Sequence, residues 1–584
     1  MIERSPSSHQ GYERKYVALH GMENYGEAIG ALDRMLNIIE KKSPDEEICR
    51  TYFYATLIAW STIYDTGLRT NYTAPSEITA EINAVIPEIS RLCPRILIHI
   101  EEGDGRLCDE HERIEMFRSG TLFKKIISET AITKIDRAQI RQSVAKYFKW
   151  IMFSHTWEGR EPTFKDVNLV DSVWKLDESS LNEKLRQFCR TAREDGHRWA
   201  WSDTCCIDKE TSTTLDQSLV SMYSWYEKAA ETLVYLADVL PSAEPGDFAL
   251  TKSRWMTRAW TLQELLASKV IRFYNRDWKL YLNDTHVNHK DSPTIRDELA
   301  KAMGVAAETI ISFQPEDLGV REKLRLASKR NAKEVEDIAY SLLGIFSSDI
   351  KPHYGVGKRA LGQLLENIVD RTGDVTVIAW TGKSLPYNSA LPDSLAVYSQ
   401  APYSPPSLED RLDARVAELR TQLALQDAIS FRSKIVQLPR ISFSNRRLKL
   451  PCIIFTVEKI DEIQQNFYRA TVSSLGEVEF RTAKEMPRTQ IWRLVLVHPW
   501  IPDLREPPNG PMSEYDPQVD ASVLALRLIA RLGRPFSALL FQLELDKAYH
   551  VKYKRVAVGH EIIVPGVPHK TDYKNIKVDV LEVV

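Results

Sequence analysis

Several things are missing from this sequence, and each absence narrows the reading. No window of the 584 residues approaches the ~20 uninterrupted apolar residues of a membrane-spanning helix, so no span is expected. The first residues, Met1-Ile2-Glu3-Arg4-Ser5-Pro6, have no apolar core of a signal peptide. Seven cysteines in so long a chain form no disulfide framework, and the odd count fits a reducing compartment, here read as the cytoplasm. There is no glycine-rich dinucleotide fingerprint, no ligand set with zinc spacing and no internal repeat. Charge of one sign is also lacking: Lys+Arg 77 against Asp+Glu 80 leaves a formal net charge of −3, with a pI near 6.5. That balance argues against a dominant nucleic-acid surface.

What is present is ordinary for a soluble globular chain, with 43% apolar and 27% charged residues. The length suits about three or four domains at ~150 residues each. Frequent Trp and Tyr (13 and 23) favour large packed interfaces between layers.

Residues about 15 to 140 read as helical. Ile29, Leu32, Leu36 and Ile39 recur at three- and four-residue spacing, and Tyr54, Leu57 and Trp60 repeat the pattern within Thr51-to-Tyr64. Cys108, Glu110, His111 and Glu112 lie in one polar run. Zinc ligands come from separated pairs, so this run reads as a solvated helix start.

Near Tyr147 the pattern changes. Tyr147-to-Ser154 is an apolar strand candidate, followed by the polar loop His155-to-Pro162. Leu181, Leu185, Phe188 and Ala192 mark a helix face that Gly196 ends. Strand candidate His197-to-Ser202 leads into a polar loop with Asp203, Cys205, Cys206 and Asp208. A helix through Leu219, Met222, Tyr223 and Tyr226 comes next, then strand Thr232-to-Leu236, a helix over Trp260-to-Leu266, and strand Val270-to-Tyr274. Such alternation predicts a parallel sheet covered on both faces, with right-handed crossovers. Ligands of open sheets of this kind bind beyond the carboxyl ends of the strands. Residues 154–160 and 203–208 follow strands directly and are expected there, and Trp260 and Glu264 are expected to reach the same edge.

Further along, residues 333 to 370 read as helical, Val375-to-Trp380 as an edge strand, and residues about 382 to 410 as a Pro/Ser-rich connector. From about 438 the chain turns β-like, with short runs at Leu450-to-Glu458, Phe467-to-Val472, Ile491-to-Val497 and Val558-to-Pro565. Ala521-to-Arg531 reads as one amphipathic helix, its apolar face a core face rather than a membrane-binding one.

The most informative segment is Arg254-Trp255-Met256-Thr257-Arg258-Ala259-Trp260-Thr261-Leu262-Gln263-Glu264-Leu265-Leu266. It puts a carboxylate one helical turn after a tryptophan, beside two arginines. Positions i and i+4 share a helix face, so Trp260 and Glu264 can present an aromatic plane and an acid to one cleft. That pairing suits a ligand with a flat ring and a reactive sugar carbon.

Three ordered blocks, Phe153-Ser154-His155-Thr156-Trp157-Glu158-Gly159, Trp199-to-Asp208 and Arg258-to-Glu264, resemble the fungal heterokaryon incompatibility (HET) domain. A fourth stretch, Glu336-to-Phe346 with Tyr354-Gly355, looks like the segment that follows that domain in many such proteins. The resemblance covers roughly residues 145 to 380. It departs from the common pattern at Thr156 and Glu158 in the first block, at Lys209 after the second and at Ala259, usually Gly, in the third. The family is associated with cell death when genetically unlike hyphae fuse. Its domain is similar in layout to the Toll/interleukin-receptor (TIR) domain, several examples of which hydrolyse NAD with one glutamate in a Trp-Cys-x-x-Glu-like helix. Trp260-to-Glu264 looks like that helix, with Thr261 in place of Cys.

The resemblance implies NAD as substrate, no required cofactor, and Glu264 as the catalytic acid. Glu264 would hold the ribose and stabilise positive charge at its anomeric carbon. Trp260 or Trp157 would stack on a ring and Arg258 or Arg254 would meet the diphosphate. Ser154, His155, Asp203 and Asp208 complete the candidate binding set. Plainer readings stand beside these. Glu264 can pair with Arg258 or Arg254, the tryptophans can be core, His155 a bonded loop residue, and Asp203 a cap of the loop after its strand. Cys205 and Cys206 with His155 suggest a nucleophile, but two cysteines at a buried strand end usually pack.

The expectation is an α/β fold with a parallel-sheet, TIR/flavodoxin-like three-layer core. It is laid out as a helical region 1–140, a HET domain 141–385, a linker 386–437 and a β-rich domain 438–584. The expected function is an effector of vegetative incompatibility and programmed cell death, acting through NAD hydrolysis. Its rivals are a non-enzymatic adaptor that assembles with partners and a cysteine hydrolase. The expected partners are NAD or a related nucleotide, a second copy of the chain, or an incompatibility partner protein, with no nucleic acid.

Overall fold

The computed structural model describes residues 9–41, 73–101, 103–131, 135–405, 407–408, 411–486, 494–499, 521–545, 551–568 and 571–584. The helix expected within Thr51-to-Tyr64 lies outside them. The chain divides into two compact units, Met1–Leu250 with Ala267–Asp297, and Thr251–Leu266 with Glu298–Val584.

The first unit is built on six strands: β1 (Leu97–His99), β2 (Leu107–Cys108), β3 (Trp150–His155), β4 (Trp199–Ser202), β5 (Glu231–Tyr235) and β6 (Ile271–Tyr274). Their order is β2-β1-β4-β3-β5-β6. The last four run parallel, with Met152 opposite Trp201, Phe153 opposite Leu233, and Leu233 opposite Arg272. β3 and β4 are buried along their whole length, as apolar runs inside a covered sheet must be. The helix Ser180–Glu194 buries Leu185, Phe188 and Ala192, and Gly196, at φ +81°, lets the chain turn out of it. The helix Ser212–Lys228 buries Leu219, Met222 and Tyr226. Phe188 stacks on Phe153, while Tyr226 packs edge-on to Trp201. Phe153 and Trp201 point to opposite faces, because Trp201 is paired with Met152 and successive strand residues alternate. The two helices therefore cover opposite faces, giving three layers.

Two details differ from the sequence reading. Tyr147 and Phe148 close the helix Arg137–Phe148 and belong to its buried face with Ile140 and Val144, so β3 starts at Trp150. The antiparallel strands β1 and β2, with β2 at the sheet edge, lie in the stretch read as helical, because two or three residues carry no period. The polar run at Cys108 is a helix start: Asp109 accepts from the Glu112 amide at 2.8 Å and Glu112 from the Asp109 amide at 2.8 Å, capping the helix Glu110–Ser119.

In the second unit the helices Val320–Ala327, Asp337–Tyr340 and Arg359–Thr372 precede a β-rich region. Val375–Ile378 is a 3₁₀ turn and not the expected edge strand. Asp374 accepts from the Thr376 amide at 2.8 Å, and that local cap outcompetes strand pairing. Within residues 386–437, read as a linker, the helices Leu412–Gln422 and Leu425–Val436 place Val416, Leu419, Ala428, Phe431 and Ile435 in the same core as the strands. The long strand Arg447–Gln464 pairs antiparallel with Phe467–Val472, Leu494–Pro499 and Lys577–Val583. The helix Ala521–Leu532 buries Ala525, Leu526, Leu528 and Ile529, a core face as read. Among the described residues no helix is long and apolar enough to cross a membrane.

Candidate functional site

In the first unit, residues 156–163 connect the end of β3 to the helix Phe164–Val170, and they form a polar cluster under one exposed indole. His155 ends β3 and stacks on Phe153 with ring centroids 4.2 Å apart. Glu161 folds back beneath the loop. Its Oε1 accepts from Lys184 Nζ at 2.5 Å and from the Glu158 amide at 3.1 Å, and its Oε2 is 4.0 Å from His155 Nε2. Lys184 also donates to the Thr156 carbonyl at 3.4 Å. All three side chains are buried. Burial, helped by the charges of Lys184 and Lys209, holds His155 well below its ordinary range, so the ring is neutral. Burial also raises the Glu161 carboxyl, a push that the Lys184 charge and hydrogen bond only partly offset.

Trp157 rises from this loop 47% exposed, which removes the core reading for it. Its Nε1 donates to Asp203 Oδ2 at 3.0 Å, and Lys209 Nζ sits 3.8 Å over its ring. Asp203, directly after β4, thus ties the two strand-end loops together. Asp208 has local partners: it accepts from the Glu210 amide at 3.0 Å and from Thr211 Oγ1 at 2.6 Å, leading into the helix Ser212–Lys228. The Thr211 hydrogen bond is the main cause that keeps its carboxyl below the ordinary range. Ser154 is buried in β3. Cys205 and Cys206 are buried, and hydrogen bonding to Cys206 together with burial pushes the Cys205 thiol well up. A thiol so held suits packing better than nucleophilic attack. Among the described residues no group of three His, Cys, Asp or Glu could hold a metal ion.

The second unit carries the Trp260–Glu264 motif. The segment before it is pinned by the Ala259 amide donating to the Asn331 carbonyl and the Asn331 amide to the Thr257 carbonyl, both at 2.8 Å. Trp260 stands just ahead of the helix Thr261–Ala267, and the Glu264 amide reaches the Trp260 carbonyl at 3.4 Å, confirming the one-turn spacing. Glu264 is 7% exposed. One cation near it comes from outside the motif. Arg330 is half-buried and donates from Nη1 to the Arg258 carbonyl at 2.9 Å and to Thr261 Oγ1 at 2.8 Å. Thr261 and Glu264 are three apart on one helix face. Burial lowers the Arg330 pKa to about 10, against the opposing pull of the Glu264 carboxylate. Trp260 is half-buried and hydrogen-bonds Asp337, which also accepts from Tyr354 Oη at 2.7 Å. Burial raises the Asp337 carboxyl, and these two bonds oppose it.

Glu161, Lys184, Arg330 and Asp337 escaped the sequence reading. One signal was available: Lys184 sits between Leu181 and Phe188 on the apolar face of its helix, where a lysine needs a buried partner.

Residues 150–251, from the first residue of β3 to past β5, match the family described as heterokaryon incompatibility protein (HET). The chain is also 34% identical over 228 residues to vegetative incompatibility protein HET-E-1 of Podospora anserina. That alignment takes in 38% of this chain and 16% of the relative. No solved structure matches the chain. The chain thus carries a segment, residues 150–251, that matches the HET family, and it spans about a sixth of the length of the relative it resembles.

Proposed function

We propose that the chain is an effector of vegetative incompatibility that drives cell death by hydrolysing NAD or a related nucleotide. The incompatibility part rests on the likeness to HET-E-1, a vegetative incompatibility protein, and the cell-death part on the resemblance to the HET family. The catalytic part is supported chiefly by one observation: Glu264 is a buried acid one turn after Trp260, with the half-buried Arg330 guanidinium nearby. The TIR-like helix it resembles uses its glutamate in this position. In the proposed step the bond between the ribose anomeric carbon and the nicotinamide nitrogen breaks. The electron pair leaves with nicotinamide, whose ring is cationic beforehand and neutral afterwards. Glu264 stabilises the oxocarbenium-like sugar, water adds to the anomeric carbon, and the lost proton passes to solvent.

The same burial supports a second reading. A carboxylate close to Arg330 and nearly sealed from water also suits an adaptor whose motif is structural. The test is nicotinamide release from NAD by the purified full chain, dilute and clustered, as wild type, Glu264→Ala and Cys206→Ser. Loss in the glutamate variant alone supports the hydrolase. No turnover in any wild-type state supports the adaptor.

A further inference from the structure

His155 and Glu161 stand in a relation that a finished core does not leave. The His155 ring is buried against Phe153, and neither Nδ1 nor Nε2 has a hydrogen-bond partner among the described residues. Buried polar atoms are nearly always paired, and an unpaired one costs about 1–3 kcal/mol. A phenylalanine at this position would fill the space without that cost. Next to the ring, Glu161 commits Oε1 to Lys184 and to the Glu158 amide, while Oε2 stops 4.0 Å from Nε2. That gap is too wide for a direct hydrogen bond, yet one oxygen ~2.8 Å from each atom spans it.

We propose that His155 and Glu161 together grip a sugar hydroxyl of a ribose-bearing ligand at the carboxyl end of β3, with Trp157 as the cover. The choice of group follows from the donor set. A neutral imidazole has one donor and one acceptor, and Glu161 Oε2 is an acceptor. A hydroxyl, which accepts from the ring and donates to the carboxylate, complements both. A phosphate would meet Glu161 and Asp203 as like charges, and a cation would meet Lys184 and Lys209. Access requires the loop 156–162 to swing, which releases Lys184 from the Thr156 carbonyl and Trp157 from Asp203 and Lys209, while the Lys184–Glu161 pair holds the carboxylate in place. Only the word ribose rests on the nucleotide reading; the hydroxyl comes from the pair itself.

ADP-ribose is the probe, since it carries the sugars but no nicotinamide bond. The full chain is titrated calorimetrically as wild type, His155→Phe, His155→Gln and Glu161→Gln, with pyrophosphate as competitor and the melting temperature of each recorded. The wild type should bind, pyrophosphate should not compete, and His155→Phe and Glu161→Gln should weaken binding at least tenfold. His155→Phe should melt no lower than wild type, and His155→Gln, with one donor and one acceptor, should retain part of the affinity. The proposal is overturned by a wild type that binds no ADP-ribose, by unchanged affinity in His155→Phe or Glu161→Gln, or by competition from pyrophosphate. It is equally overturned if both His155 variants melt far below wild type, the mark of a structural residue over a water-filled gap. Nicotinamide release fails or survives separately, through Glu264.

Discussion

Arg330 Nη1 lies 2.8 Å from Thr261 Oγ1, and Thr261 stands three residues ahead of Glu264 on the same helix face. A guanidinium from a distant stretch of chain thus lies near the motif's acid, beside the plainer reading in which Glu264 pairs with Arg254 or Arg258. Removing the guanidinium leaves the Arg258 carbonyl and Thr261 hydroxyl without its hydrogen bonds and the buried Glu264 carboxylate less compensated, at a cost of about 1–3 kcal/mol. Arg330→Met should lose about that much in urea unfolding, and Arg330→Lys less. In a cycle with Glu264→Gln, the double variant should be less destabilised than the sum of the singles. Strict additivity would show that the two side chains do not interact.

Trp157 and Trp201 should respond oppositely to truncation. Trp157 is 47% exposed and makes one side-chain hydrogen bond to Asp203, whereas Trp201 is fully buried. Trp157→Ala should cost about 1–2 kcal/mol, the loss of that bond and of the Lys209 ammonium over its ring. Trp201→Ala should cost about 3–5 kcal/mol through the cavity it leaves. Equal losses in melting experiments would make Trp157 a packing residue.

Acid should attack the β5–β6 seam. Burial alone would raise the Glu231 carboxyl, but hydrogen bonds to His197 and Arg272 outweigh it and leave the group lowered. A carboxylate lowered by folding stabilises the native state above its unfolded pKa of about 4.3, and loses that stabilisation as pH falls through the still lower folded value. Wild type should therefore lose melting temperature steeply below pH ~4.3. Glu231→Gln should start lower at neutral pH and fall less steeply. Parallel curves would remove Glu231 from the acid response.

Thiol chemistry should pass the strand-end cysteines by. Cys205 and Cys206 are buried, so maleimide treatment of the native chain followed by peptide mapping should find both unmodified, with labelling only after denaturation. Rapid native labelling of either would revive the cysteine-hydrolase reading.

Patterns that repeat along the chain carried the sheet-and-helix order in the first unit. Leu185, Phe188 and Ala192 spaced a helix, and Trp150-to-Phe153 and Trp199-to-Trp201 made apolar runs that only a doubly covered sheet can bury. Pairings across distance left no such trace. Glu161 meets Lys184 across 23 residues, and Arg330 meets the Arg258 carbonyl across 72. Neither has a local period, although a lysine on an apolar helix face was a hint. Val375-to-Ile378 misled because β-branched residues suit a strand, while the neighbouring Asp374 cap decided the backbone.

The family match begins at Trp150 and stops at residue 251, but the sheet it belongs to does not. β1 pairs with β4 on one side and β6 with β5 on the other, and both lie outside the matched stretch. A fragment trimmed to 150–251 would bare two rows of backbone amides and carbonyls, an invitation to aggregate. The stretch by which this chain is recognised is thus shorter than the stretch that can hold itself together, and a soluble minimal piece must start before Leu97 and run beyond Tyr274.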